Sequence, residues 1–163
     1  MAVVSVGSVG AYIAMSNAGW LPSPNGSSSG FTINNVPTSN TSSTNGEELT
    51  PQQVAAKVIP SVVCIQNFQM GSVQAAGEGS GIVMTSDGYI ITNAHVVEDA
   101  ASLKVVLSDG GTYEAQLVGS DSATDLALIK IEATGLTPAE FGNSDQVEVA
   151  EEVMAVGNPG GME

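Results

Sequence analysis

Short apolar runs separated by turn-forming residues dominate the chain from about residue 62 onward. The runs span residues 62–68, 79–85, 89–92, 103–107, 112–119 and 126–131. Asp-Gly pairs at 87–88 and 109–110 separate neighbouring runs, and the intervals are too short for crossover helices. This spacing predicts an all-β domain of antiparallel strands that closes as a small barrel or a sandwich.

One stretch, residues 81–97 (GIVMTSDGYIITNAHVV), contains the only histidine of the chain. Two apolar runs flank the Asp87-Gly88 pair, which is a strong short-range signal for a β-hairpin. The second strand of this predicted hairpin ends just before His95. A lone histidine at such a position is often merely structural, so the hairpin alone assigns it no role.

A short helix is predicted ahead of the strands. Thr50 is a capping residue, Pro51 stands at the first helical position, and Gln53 completes a capping box. The apolar face of this helix comprises Val54, Ala55 and Val58. Pro60 is expected to end the helix.

The first fifty residues differ in composition from the rest. Residues 1–20 carry no charge, are mostly small or apolar, and end in Trp20. Twenty helical residues span about 30 Å, so this segment is a candidate membrane anchor, complete or truncated at its front, with a disordered or artefactual leader as the alternative. Residues 21–50 are rich in Ser, Asn, Thr, Gly and Pro and are predicted to be a disordered linker.

Charge and cysteine content exclude several classes of function. The formal net charge is −14, from three basic and 17 acidic residues. Nucleic-acid binding needs clustered Lys and Arg, so nucleic acid is not an expected partner. Cys64 is a single cysteine in an apolar run and is expected to be a buried thiol without a catalytic role. One His and one Cys do not make a zinc site, so no metal or cofactor is predicted.

The predicted barrel domain, with its connector, covers residues 51–152. Its last part is acidic, with no basic residue between Glu140 and Glu152. A new apolar run begins at Val153, and residues 153–163 are expected to start a second barrel that is incomplete in this sequence.

Two polar residues stand out beside the predicted strands. His95 follows the hairpin, and Asp125 lies immediately before the sixth apolar run. A serine hydroxyl becomes a good nucleophile when an imidazole accepts its proton, and a carboxylate keeps that imidazole in the correct tautomer. His95 and Asp125 therefore match the first two members of a serine-protease triad in the chain order His, Asp, Ser.

Four motifs together resemble the HtrA (Deg) family of trypsin-like serine endopeptidases. They are residues 79–83 (GSGIV), 87–97 (DGYIITNAHVV), 121–131 (DSATDLALIKI) and 153–161 (VMAVGNPGG). The resemblance begins at about residue 52. It implies a double six-stranded barrel, of which this chain contains the first, with His95 as general base and Asp125 as its orienting partner.

The same resemblance implies the substrates, the assembly and the location of the protein. By this resemblance, the chain is expected to act on unfolded or damaged polypeptides, to need no cofactor and to form a homotrimer. Many bacterial members have an N-terminal membrane anchor and a low-complexity linker, which residues 1–46 resemble. A membrane-anchored protease domain on the extracytoplasmic side of a bacterial cell envelope is therefore expected.

One departure from the family pattern concerns the nucleophile. The family carries it in a Gly-Asn-Ser-Gly-Gly motif, which is absent from these 163 residues. Gly142-Asn-Ser144 is followed by Asp and Gln, so it is not that motif. The polypeptide as written is expected to be inactive as a protease. The alternatives are a non-catalytic binding or assembly module anchored to a membrane, and a short membrane-tethered β-domain that never had protease function.

Overall fold

The computed structural model describes residues 49–160. The predicted membrane anchor (1–20) lies outside this range, as do residues 161–163 and all but the last two residues of the predicted linker (21–50). Within the described residues, no helix combines the length and the apolar character that crossing a bilayer requires.

Six strands and two short helices make up the described part of the chain. Their bounds are α1 Pro51–Val58, β1 Val62–Phe68, β2 Gly77–Val83, β3 Tyr89–Thr92, α2 Ala94–Val97, β4 Ser102–Val106, β5 Thr112–Asp121 and β6 Leu126–Ile131. Single 3₁₀ turns cover Ile59–Ser61 and Ser144–Gln146. Strands β1, β3 and β6 have the predicted bounds, and the others differ by one or two residues. The helical turn α2 was not predicted.

The strands close into a barrel, so of the two predicted alternatives the sandwich was wrong. The order around the barrel is β1-β2-β3-β6-β5-β4, and every pairing is antiparallel. Closure comes from β4, which pairs with β1 so that Ile65 lies opposite Val105. The predicted six-stranded antiparallel barrel is confirmed.

The barrel has an interior core and a second apolar cluster. Buried residues of α2 and of every strand except β5 form the interior, including Val63, Ile65, Val83, Ile90, Val97, Val105, Ile129 and Ile131. Strand β5 contributes the partly buried Tyr113 and Ala115. The second cluster comprises Met84, Ile91, Leu128, Ala139 and Phe141. Alternate residues of a strand point to opposite faces, so β3 and β6 are covered on both sides.

Helix α1 begins with the predicted capping box. The backbone N–H of Gln53 donates to the Thr50 hydroxyl at 3.3 Å, and the backbone N–H of Thr50 donates to the Gln53 side chain at 2.8 Å. The helix ends at Val58, and Pro60 lies in the 3₁₀ turn that follows. Val54 is the buried member of its apolar face.

The strand expected at residues 153–156 is not formed among the described residues. Val153 is exposed, and the run finds no strand to pair with there. A backbone needs a partner to satisfy its N–H and C=O groups as a strand, and apolar character alone does not supply one. Further along, the Asn158 N–H donates to the Ser80 hydroxyl at 2.7 Å.

The β2–β3 connection depends on Gly88. Its φ is +108°, and its carbonyl accepts from the Ile131 N–H at 3.0 Å. A Cβ at this position would overlap the Ile131 carbonyl oxygen. Gly110, in the other Asp-Gly turn, has φ +86° and no atom within 4 Å of a Cβ placed there.

We therefore expect Gly88→Ala to destabilise the barrel more than Gly110→Ala. Both variants force alanine into the left-handed region, at a cost of about 1–2 kcal/mol. Gly88→Ala also displaces β6 backbone, which adds about 1–3 kcal/mol. Urea unfolding of the two variants measures the difference, and equal free energies of unfolding would contradict the overlap at Gly88.

Candidate active site

The site lies at one end of the paired strands β3 and β6. β3 and β6 are antiparallel, with Thr92 opposite Ala127. The end of β3 therefore lies beside the start of β6. His95 comes three residues after Thr92, and Asp125 comes two residues before Ala127. Strand register thus brings together two residues that are far apart in the sequence.

The turn before β6 sets the direction of Asp125. The Asp121 carboxylate accepts from the Ala123 N–H at 3.0 Å and from the Thr124 hydroxyl at 2.8 Å, which stabilises the turn. Asp125 itself has φ +54°. Aspartate is among the few residues that adopt this left-handed conformation at modest cost. The turn consequently ends with the carboxylate facing α2.

His95 and Asp125 form a hydrogen-bonded pair. Nδ1 of His95 lies 2.8 Å from Oδ2 and 3.0 Å from Oδ1 of Asp125. An ionised carboxylate only accepts hydrogen bonds, so Nδ1 carries the proton. In the neutral ring Nε2 then has the lone pair and can accept a proton from another group. Both distances lie within the ordinary range of a hydrogen bond.

The backbone strengthens this pairing. The His95 N–H donates to Asp125 Oδ1 at 3.1 Å, and the Ala94 N–H donates to the Asp125 carbonyl, also at 3.1 Å. The Asn93 side-chain amide donates to Asp125 Oδ2 at 3.1 Å. Asn93 was not singled out from the sequence. Its place two residues before His95 was visible there, but its contact with Asp125 depends on the β3–β6 register.

These donors lower the pKa of Asp125 below its ordinary value of 3.8. The largest contribution comes from the backbone N–H of His95, and partial desolvation opposes it. The His95 ring and the Asn93 amide lower the pKa further. The carboxylate is therefore ionised at neutral pH and is ready to balance a positive imidazolium.

The pair lies at the surface of the described barrel. The side chains of His95 and Asp125 are 67% and 45% exposed. Within residues 49–160, no segment covers the Asp125 carboxylate. A groove of about 450 Å³ runs beside His95 and is also lined by Asn93, Val96 and residues 76–80.

The other sequence candidates lie away from this pair. Cys64 is fully buried in β1, as expected. Asn143 precedes the 3₁₀ turn at Ser144–Gln146, and its side chain accepts from the Asp145 N–H at 3.1 Å. Among the residues that the structure describes, no three His, Cys, Asp or Glu side chains are grouped so that they could hold a metal ion.

The barrel and the His–Asp pair at its rim define a trypsin-like peptidase domain. Comparison with known families agrees, because the sequence profile of the trypsin-like peptidase domain matches residues 79–163. This chain belongs to that family, and its predicted relationship to the HtrA (Deg) serine endopeptidases is confirmed by the relatives it matches.

Three of these relatives show the extent of the similarity. The "Probable periplasmic serine endoprotease DegP-like" of Chlamydia trachomatis is 49% identical over 88 residues, covering 54% of this chain and 18% of the relative. The serine endoprotease DegS of Salmonella typhimurium is 44% identical over 109 residues, covering 63% of this chain and 31% of the relative. The crystal structure of a serine endoprotease from Yersinia pestis superimposes with a TM-score of 0.50 and 41% identity, covering 56% of this chain and 32% of that one. This chain therefore spans less than a third of the length of each.

The origin of the Asp125 pKa shift leads to a prediction for His95→Ala. This variant removes the imidazole but keeps the backbone N–H, which is the largest cause of the shift. The pKa of Asp125 should rise but remain below 3.8. Carboxyl ¹³C NMR titration measures it, and a return to 3.8 or above would show that the ring, and not the backbone, is the main cause.

The same shift predicts how stability depends on pH. A carboxylate with a lowered folded-state pKa stabilises the fold fully above its unfolded pKa, and this contribution is lost as the pH falls through the folded-state value. The matched variant is Asp125→Asn, since Asn also tolerates a positive φ. The advantage of the wild type over Asp125→Asn in free energy of unfolding should shrink as the pH is lowered below 3.8.

Proposed function

We propose that this chain is part of a serine endopeptidase in which His95 is the general base and Asp125 orients it. The observation that carries the proposal is the 2.8 Å contact between His95 Nδ1 and Asp125 Oδ2. That contact holds the ring in the tautomer that leaves Nε2 able to accept a proton. The Deg relatives, which are named as serine endoproteases, support the same assignment.

The proposed chemistry uses both residues in the acylation half of the reaction. Nε2 of His95 takes the proton of a serine hydroxyl as that oxygen attacks the peptide carbonyl, and the Asp125 carboxylate stabilises the resulting imidazolium. The imidazolium then gives the proton to the leaving amine. The serine is proposed to come from a Gly-Asn-Ser-Gly-Gly motif, which these 163 residues do not contain. Backbone N–H groups beside that serine would stabilise the oxyanion.

The exposure of the pair supports a second barrel as its cover. Electrostatic interactions between the imidazolium and the carboxylate are weak in water and strengthen when water is excluded. The Asn158 N–H already contacts the Ser80 hydroxyl, and Ser80 lines the groove beside His95. The described chain therefore ends close to the groove that His95 lines. This contact supports a two-barrel protease, and the proposed substrates, unfolded or damaged polypeptides, rest on the resemblance to the HtrA (Deg) family.

Activity measurements on two polypeptides test the proposal. The 163-residue chain should show no measurable cleavage of casein, because it has neither the nucleophile motif nor the oxyanion donors of the family. A longer gene product that includes the motif should cleave casein. In that product, His95→Ala should lower kcat/KM by roughly 10⁶-fold and Asp125→Asn by roughly 10⁴-fold, as losses of these two members of a triad do.

A matched control is Asp109→Asn, which changes an aspartate in the β4–β5 turn. Asp109 accepts from the Gly111 N–H at 2.8 Å and takes no part in the pair. This variant should retain wild-type kcat/KM. Cleavage that persists in His95→Ala would reject the catalytic assignment, and a longer product that has a second barrel but no cleavage would favour a binding or assembly module.

The proposed location is the extracytoplasmic face of a membrane, with residues 1–20 as the anchor. The uncharged, apolar composition of this segment and the periplasmic relative from Chlamydia trachomatis support it. A homotrimeric assembly, which the family resemblance implies, is part of the same proposal.

Fractionation of expressing cells tests the anchor. The chain should sediment with membranes and resist extraction by alkaline carbonate, because a spanning helix is held by its apolar length. A variant lacking residues 1–20 should become extractable. Equal extraction of both proteins would exclude the anchor while leaving the protease assignment intact.

A further inference from the structure

The helical turn that carries His95 is too short to hold its own position. α2 contains four residues, and its N-cap Asn93 makes no side-chain capping hydrogen bond. Isolated helical segments of this length are unstable, so the turn depends on contacts with the rest of the barrel. On one side these contacts come from Asp125, as described above. The other side needs a separate support.

Asn67 of β1 provides that support. Its side-chain Nδ2 donates to the Val96 carbonyl at 3.0 Å and to the Glu98 carbonyl at 2.8 Å. The last carbonyls of a helix find no N–H donor within the helix, and a side-chain donor from outside can satisfy them. Both partners are acceptors, which means that the amide nitrogen, and not the oxygen, faces them. One side chain therefore caps the turn on both sides of Val97.

The position of Asn67 is rigid. The residue is only 7% exposed and lies opposite Gly77 on β2 and Leu103 on β4. Its backbone carbonyl accepts from the Ala76 N–H at 2.7 Å. Its Oδ1 is buried and has no hydrogen-bond partner within the described residues. An unpaired buried acceptor is costly, so an apolar side chain would serve packing better. The favourable contribution of this side chain is the pair of hydrogen bonds that its Nδ2 donates.

Gly79 restricts the same turn from β2. A Cβ on Gly79 would lie 2.6 Å from Cγ2 of Val96, so the missing side chain leaves the space that Val96 occupies. Val96 packs against the barrel core, and its carbonyl is one of the two that Asn67 binds. The residue after His95 is thus held through both its side chain and its carbonyl.

We propose that Asn67 is a positioning residue that holds the His95 turn in register with Asp125. Its two donors hold the chain after His95, while Asp125 and its neighbours hold the chain before it. The catalytic meaning of this role rests on the proposed function. The positioning itself is a property of the barrel and can be measured without protease activity.

The experiment uses NMR of the 163-residue chain, in which His95 is the only histidine and so gives unambiguous ring signals. Asn67→Leu is close to isosteric and removes both donors together with the unpaired oxygen. Its backbone amide spectrum should remain that of a folded barrel. Its His95 ring signals should shift toward those of Asp125→Asn, with loss of the downfield Nδ1 proton that the carboxylate holds in the wild type.

The matched control is Gln66→Ala, the neighbouring residue on β1. Gln66 Nε2 donates to Glu78 Oε1 at 2.8 Å, and this hydrogen bond does not involve the His95 turn. This variant also loses a side-chain hydrogen bond from β1, yet it should leave the His95 ring signals unchanged. A shift in Gln66→Ala equal to that in Asn67→Leu would overturn the proposal.

Two further outcomes would also overturn it. A folded Asn67→Leu with wild-type ring signals would show that the turn keeps its place without the donors. An unfolded Asn67→Leu would show that Asn67 supports the whole barrel instead of the turn. In a longer, active gene product, Asn67→Leu should lower kcat by up to about 100-fold with little change in KM. If His95→Ala abolishes cleavage there while Asn67→Leu does not affect it, the proposed function stands and this inference fails.

Discussion

The antiparallel register of β3 and β6 is the constraint on which the His95–Asp125 pair depends. Thr92 lies opposite Ala127, so the chain leaving β3 and the chain entering β6 are neighbours. A slip of one residue would turn each side chain of a strand to the opposite face. The distance of 2.8 Å between His95 Nδ1 and Asp125 Oδ2 is therefore a consequence of strand pairing as much as of the two side chains.

Packing on both faces protects this register. Ile90 and Ile129 face the barrel interior, while Ile91 and Leu128 face the second apolar cluster. A strand pair buried on one face resists slipping, and a pair buried on both faces resists it more strongly, because a shifted register would exchange two sets of contacts. The chain after β6 contributes Phe141 to the outer cluster. The segment after the barrel thus supports the strands that carry the site.

The site combines a backbone that is held by hydrogen bonds with side chains that are exposed. Asp125 holds the start of the His95 turn through the His95 N–H, and Asn67 holds its end through the Val96 carbonyl. The side chains of the pair remain 67% and 45% exposed. A general base requires a fixed orientation and access to its substrate. The orientation and the exposure of His95 are compatible with its proposed role as such a base.

The sequence by itself determined the class of fold, the capping box of α1, the family and the two residues of the pair. These features are local: apolar periodicity, turn residues and short motifs depend on neighbours along the chain. Tertiary structure alone decided the strand order around the barrel, the helical turn at Ala94–Val97, the absence of strand pairing at residues 153–156 within the described range, and the contacts of Asn93 and Asn67. Asn67 carries no signal in the sequence because its partners, the Val96 and Glu98 carbonyls, belong to a segment that reaches it only through folding. A backbone carbonyl has no sequence signature, so contacts of this kind become visible only when the barrel has closed.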